Sequence, residues 1–357
     1  MERKNTRLYT IIGLSLFAVV FAALVVVATF FDLDISKILT KNALPDGAYF
    51  ATSQFGLFFE AMGSAPIYLM GTVAGLIFFW WGIRKEKKWL KILAPIVGAI
   101  AAVVGAYLVV QDAFNYVAEQ FLVVGGLKKL YVRAIAAVIA LLIAAPSVVA
   151  WGQIKPEQNE KFIKWLLVIL CTLLIYLVIH FIKSPIGRVR FRTMNYMQDD
   201  NYSLFTRWYV VNGKRNLEPA PNGVEVSDSC KSFPSGHTFS AGLVYTLICL
   251  PDLIESWNKK WVKGIVTGGT VAFTGVVAIS RIVVGAHYMS DVLFGGTMAF
   301  AGTMIFREIF ICKGEHLKAL FAKKSAPAIE ESEPAESEGT EPVASEEPEP
   351  EAKKTNE

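Results

Sequence analysis

Apolar runs about as long as a lipid bilayer is thick recur along this chain, and their length sets what it can fold into. A helix rises about 1.5 Å per residue, so roughly 20 apolar residues cross a hydrocarbon core of about 30 Å. Eight runs qualify, approximately from Tyr9 to Phe31, Ile67 to Ile83, Ile92 to Val110, Ala134 to Trp151, Trp165 to Ile182, His237 to Ile254, Ile265 to Ser280 and Ser290 to Phe306. With 54% hydrophobic and 18% charged residues the chain is too apolar for an ordinary soluble domain. The expected fold is therefore all-α, a polytopic membrane helical bundle of about eight transmembrane helices. The sixth run is the weakest, because Pro251 and Asp252 interrupt it near one end.

The first run follows the basic stretch MERKNTR, an arrangement shared with secretory signals. Its apolar core exceeds the ~7 to 15 residues of such a signal, so it reads as an uncleaved first span. Between the first two runs, Asp32 to Ala65 mixes Phe50, Phe55, Phe58 and Phe59 with polar residues and glycines, a pattern expected of short interfacial helices. The four cysteines suggest neither a disulfide framework nor a metal-binding pair, since Cys171, Cys249 and Cys312 lie in or at the end of apolar runs and Cys230 stands alone in a polar loop.

The net charge of +4 combines a basic body with an acidic tail: from Ser325 onward there are eleven Glu and two Lys. That tail is also rich in Pro, Ser and Ala, a composition expected to stay disordered. Lys and Arg favour cytoplasmic connections. MERKNTR, Arg84 to Lys88, Lys155 to Lys164 and Lys259 to Lys263 alternate correctly for that side, which puts both termini in the cytoplasm and Lys183 to Phe233 on the outer face together with Arg281 to His287. Lys128, Lys129 and Arg133 run against the rule.

Three separated segments offer the parts that phosphate chemistry needs: cations, a nucleophile and an acid. In KSPIGRVRFR, Lys183 is followed by Arg188, Arg190 and Arg192 at alternate positions. Arginine forks bind phosphate oxygens bidentately and lysine acts as a point charge. In FPSGHT, Ser235 and Gly236 present a hydroxyl and backbone N–H groups where a helix opens, with His237 beside them. In SRIVVGAHYMSD, His287 and Asp291 are four apart, so on a helix the carboxylate holds one ring nitrogen protonated and leaves the other free, while Arg281 adds a further clamp. Taken singly these read equally as an interfacial charge cluster, a helix cap and an interhelical hydrogen bond.

Together, Lys183-x6-Arg190, PSGH at Pro234 to His237 and Ser280-Arg281-x5-His287-x3-Asp291 resemble, in order and spacing, the three signature motifs of the type 2 phosphatidic acid phosphatase (PAP2) superfamily. The first motif usually ends Arg-Pro, whereas Phe191 follows Arg190 here; a proline there would only fix backbone direction, so altered loop geometry rather than lost activity is expected. The resemblance implies that His287 attacks phosphorus to form a phosphohistidine, Asp291 orients it and His237 protonates the leaving oxygen. It further implies that Lys183, Arg190, Ser235, Gly236 and Arg281 bind the phosphate with no metal and no other cofactor. Arg188 lies outside the fixed positions and is a possible additional phosphate ligand. His180, inside the fifth run, is expected to bond a neighbouring helix, with lining of the site one turn from Lys183 as the alternative; His316 is not expected to take part.

On this reading residues 1–65 hold the first span and the interfacial segment, 66–164 additional transmembrane helices, 165–315 the catalytic core and 323–357 the tail. The expected partners are a lipid phosphate or diphosphate and membrane lipids, not nucleic acid. Aromatics in the Arg192 to Lys231 loop, among them Phe205, Trp208 and Tyr209, fit a headgroup-level belt beside a lipid entry path. The resemblance leaves open a phosphotransferase or headgroup transferase using the same histidine, and a phosphatase of a soluble ester; a transporter or scaffold leaves the charged motifs without purpose.

Overall fold

Within residues 2–40, 53–121, 129–215, 217–218 and 228–321, which the computed structural model describes, the chain is helical and contains no strand. The long helices are α1 (Glu2–Leu39), α2 (Gln54–Ile83), α3 (Lys88–Phe121), α4 (Lys129–Gly152) and α5 (Pro156–Ile186). A short α6 (Phe191–Tyr196) precedes α7 (Gly236–Gly242), which runs through a 3₁₀ stretch (Leu243–Cys249) into α8 (Leu250–Leu253). Then come α9 (Lys260–Val283), α10 (Met289–Phe310) and α11 (Glu315–Phe321). Seven helices among the described residues are long and apolar enough to cross a membrane. Their outer faces expose large aliphatic side chains such as Leu16, Val19, Ile100, Leu142, Leu174 and Ile265, as a lipid environment requires.

The sixth expected span, His237 to Ile254, is not a continuous α-helix. Its ends nevertheless reach both depths of the bundle. Near its far end the Leu253 carbonyl accepts from Gln158 Nε2, and Asp252 pairs with Arg307 Nη2 at 2.6 Å, next to the first turn of α5 and the last turn of α10. The 3₁₀ stretch explains how so few residues reach that far, because it rises about 2.0 Å per residue against about 1.5 Å for α. The segment is also the centre of the core. Phe239, Leu243 and Cys249 are fully buried against Ile169 and Val168 of α5, Ile77 of α2 and Ala299 of α10. Trp165 Nε1 donates to the Thr246 carbonyl at 2.9 Å, fixing the 3₁₀ stretch to α5.

The segment expected to form interfacial helices differs too. No proline or glycine interrupts Asp32 to Leu39, and Ser36 and Thr40 donate back to carbonyls four residues earlier, so α1 continues to Leu39. Ser53 then caps α2, accepting from Gly56 N at 3.1 Å, and Phe55, Phe58 and Phe59 pack together in its first turns. Phe50 lies outside the described residues, as does the tail expected from residue 323. The four cysteines are free thiols.

Helices α2 and α3 approach until their backbones touch. A methyl added at Gly75 would stand 2.5 Å from Gly98 O and Ala102 N, and one at Gly98 would stand 2.6 Å from Gly75 O and Phe79 N. Small residues permit such contact where lipid supplies no hydrophobic drive between helices. Gly98→Val is accordingly expected to cost about 1–3 kcal/mol, seen as a lower thermal midpoint in detergent. An unchanged midpoint would refute this close packing.

Candidate active site

The first candidate residues are placed by the end of α5. Gly187 closes that helix in the left-handed region (φ 59°), its N–H donating to Lys183 O. A side chain there would also meet Gly213 O at 2.0 Å, so only glycine fits. The turn leaves Lys183 in the last helical turn, its ammonium donating to Lys231 O at 3.2 Å. Beyond it, Arg188 to Arg190 run alongside the loop before α7: Ser232 N donates to Arg188 O and Arg190 N to Ser229 O. Arg190 is the N-cap of α6, which makes Phe191 its first helical residue. Proline is favoured at that position, so Phe191 keeps the backbone course a proline would give. Its buried ring stacks on Tyr202 and meets Tyr288 edge-on.

His287 lies in the tight connection between α9 and α10. Gly285 takes φ 63°, and the N–H groups of Ala286 and His287 both donate to Arg281 O. The His287 ring is buried, with Nδ1 2.7 Å from the Ser232 carbonyl and 3.6 Å from Asp291 Oδ2. A carbonyl oxygen only accepts, so Nδ1 carries the proton and Nε2 keeps its lone pair. Burial lowers the His287 pKa to about 3; the Lys183 and Arg190 charges push the same way and Asp291 opposes them. The ring is thus neutral at physiological pH.

Asp291 does not hold the ring by a direct short hydrogen bond. It accepts the Ser232 hydroxyl and the Tyr288 N–H (2.9 Å) on Oδ2, and Arg188 Nη1 (2.6 Å) on Oδ1. Ser232 therefore links the two, with its hydroxyl on Asp291 and its carbonyl on His287. Asp291 is N3 of α10 and closes a capping box with Tyr288, which fixes its backbone.

Three cations converge near this ring. Charge interactions tie Lys183 and Arg190 to His287, and link His237 to Arg281, Glu60, His287 and Arg190. Arg281 is buried and gives Nη2 to Glu60 Oε1 at 2.8 Å. Its Nε and Nη1, and Arg190 Nε, are buried with no partner among the described residues. Unpaired buried guanidinium donors are costly, so this arrangement fits an anion with several acceptor oxygens. Ser235 sits at the N-cap of α7, its hydroxyl accepting from Thr238 N at 3.2 Å, and a methyl added at Gly236 would lie 3.7 Å from Lys183 Nζ.

Arg188 faces away from that group of donors. It is completely buried and spends its guanidinium on Asp291, Ser290, Asp32 and the Thr206 carbonyl, over the Tyr288 ring. His180 is exposed on α5 against Phe181. Among the described residues, Glu308, Cys312 and His316 bring ligand atoms within 4.8 Å of one another and could share a metal ion. They sit at the far end of α10, roughly 30 Å from His287 by helix length.

The sequence reading missed Ser232, Tyr288 and Ser290, which carry no signal beyond nearness to the motifs. It also missed Asp32 and Glu60. Both are carboxylates in apolar helices, where an ionisable residue is a functional candidate by default.

Residues 164–312 match the PAP2 superfamily, a stretch holding all three motifs and starting after α4. No curated protein and no solved structure matches the chain. The family implies phosphatase-type chemistry, and the buried histidine with its carboxylate and unpaired arginine donors is a site suited to it. Residues 164–312 thus match the PAP2 superfamily, in a chain whose long apolar helices are those of a multi-pass membrane bundle.

Proposed function

We propose that the chain is a membrane phosphatase that hydrolyses a lipid phosphate or diphosphate through a phosphohistidine on His287, with no metal in the chemistry. The observation that carries this reading is the fixed tautomer of His287, whose free Nε2 belongs to a neutral ring beside buried arginine donors. The lone pair of Nε2 forms a bond to phosphorus as the ester P–O bond breaks. His237 gives its proton to the departing oxygen. Water then attacks phosphorus, loses a proton to His237 and displaces Nε2, releasing inorganic phosphate and restoring both histidines. Lys183, Arg190 and Arg281 stabilise charge spread over the equatorial oxygens, with Ser235 and Gly236 completing the phosphate site.

A lipid substrate is supported by the setting of the site, at one end of a bundle whose long helices expose large aliphatic side chains. The basic connections Arg84 to Lys88 and Lys259 to Lys263 lie at the bundle end away from His287, which supports a site on the outer face and both termini in the cytoplasm.

Purified protein in chelator is expected to release one free phosphate per lipid phosphate with no added acceptor, and His287→Ala to lose at least about 10³-fold in kcat. Turnover that survives His287→Ala, or appears only with added metal or an alcohol acceptor, overturns the reading. In His237→Ala the first step, read as phosphoenzyme formation in a single turnover, should slow by about 10²–10⁴-fold on an alkyl phosphate but far less on p-nitrophenyl phosphate, whose leaving oxygen needs no proton. Equal losses on both would remove His237 as the acid.

The His287 ring resonance in histidine-labelled protein should not titrate between about pH 5 and 8, because a depressed pKa keeps the ring neutral throughout that window. A midpoint near the ordinary value would contradict the buried tautomer. For orientation, a cysteine replacing the exposed Asn201 should be labelled by an impermeant reagent from outside intact cells; labelling only after permeabilisation would place the site inward.

A further inference from the structure

We propose that Asp32 and Arg188 are positioning residues for the Asp291–His287 pair, which makes α1, outside the 164–312 stretch, a working part of the catalytic unit. The inference rests on the phosphohistidine reading above.

Arg188 and Asp32 are 0% and 3% exposed and pair at 2.8 Å. Arg188 Nη1 bridges Asp291 Oδ1 and Ser290 Oγ, so one guanidinium joins both carboxylates. Asp32 also grips α10 directly: Oδ1 accepts the Ser290 N–H at 2.8 Å, and Oδ2 accepts the Ser290 hydroxyl. The residue just before Asp291 is thereby held at its backbone and at its side chain. From Asp291 the connection passes through the Ser232 hydroxyl and carbonyl to His287 Nδ1. A turn of the Asp291 carboxylate would move Ser232 and re-aim the ring.

Docking alone is a poor explanation for such a network. A buried ion pair is a weak source of stability, and apolar residues of similar volume often do as well. The rest of α1 shows what plain docking looks like, with most of its side chains facing outward and Phe17 and Phe21 packed on Phe300 and Phe294. In its last three turns α1 instead makes polar contacts with the site's loops and α10. Besides Asp32, Thr29 Oγ1 accepts from Trp208 Nε1 and Lys37 lies over the Tyr202 ring.

Asp32→Asn keeps the shape and removes the charge. Assayed beside wild type and His287→Ala, it should lower kcat by about 10–100-fold, the range seen when outer partners of a ligand are removed, with KM and product inhibition by inorganic phosphate unchanged within about twofold. Phe17→Leu, in the plain docking contact of the same helix with Phe300, should leave kcat alone. In an Asp291→Asn background the Asp32→Asn loss should vanish, because both act through one carboxylate. A loss that stays fully additive there, or a kcat equal to wild type, overturns the proposal. If Asp32→Asn does not fold, Arg188→Lys decides by the same kcat and KM criterion. Wild-type turnover no higher than that of His287→Ala would instead defeat the phosphatase reading itself.

Discussion

A carboxylate shut away from water is the constraint around which this site is built. Desolvating an ion costs several kcal/mol even after relaxation, and the cost is met only when each lone pair finds a donor. Asp291 finds Arg188, the Ser232 hydroxyl and the Tyr288 amide. These donors come from three places: the extended run after α5, the loop before α7 and the first turn of α10. Satisfying one buried charge therefore draws together the segments that carry the three motifs. Arg188, itself fully buried, extends the same demand to Asp32 on α1.

The site has a division of labour. On one side of His287 the Arg188 guanidinium and the Asp291 carboxylate are spent on internal partners. On the other side Arg190 and Arg281 keep donors unspent. A ring between these two environments has one nitrogen committed and one available, which is what a nucleophile at phosphorus needs.

The sequence was most informative where a physical period or a fixed spacing was at work. Seven of the eight runs are continuous helices, because length and hydropathy depend only on local chain chemistry. The four-residue spacing of His287 and Asp291 pointed to the right neighbours but not to the contact, since His287 precedes α10 and its nearest partner is the Ser232 carbonyl. Arg188 could be read only as one more cation in a basic run. Its partners Asp32 and Ser290 are 156 and 102 residues away, a relation that no local pattern encodes. The winding of the sixth span was equally hidden, as Leu243 to Cys249 holds neither proline nor glycine and reads as ordinary helix.

That winding carries a consequence of its own. Seven residues in 3₁₀ rather than α geometry lengthen the segment by about 3.5 Å. Its far end is tied to α5 by Gln158 and to α10 by Arg307, so the added length is delivered at the near end, where His237 stands. The pitch of one short stretch thus acts as a vernier on the height of His237. Rewinding it to a regular helix would draw the imidazole away by more than the reach of a hydrogen bond, with no change to any residue that touches the ester.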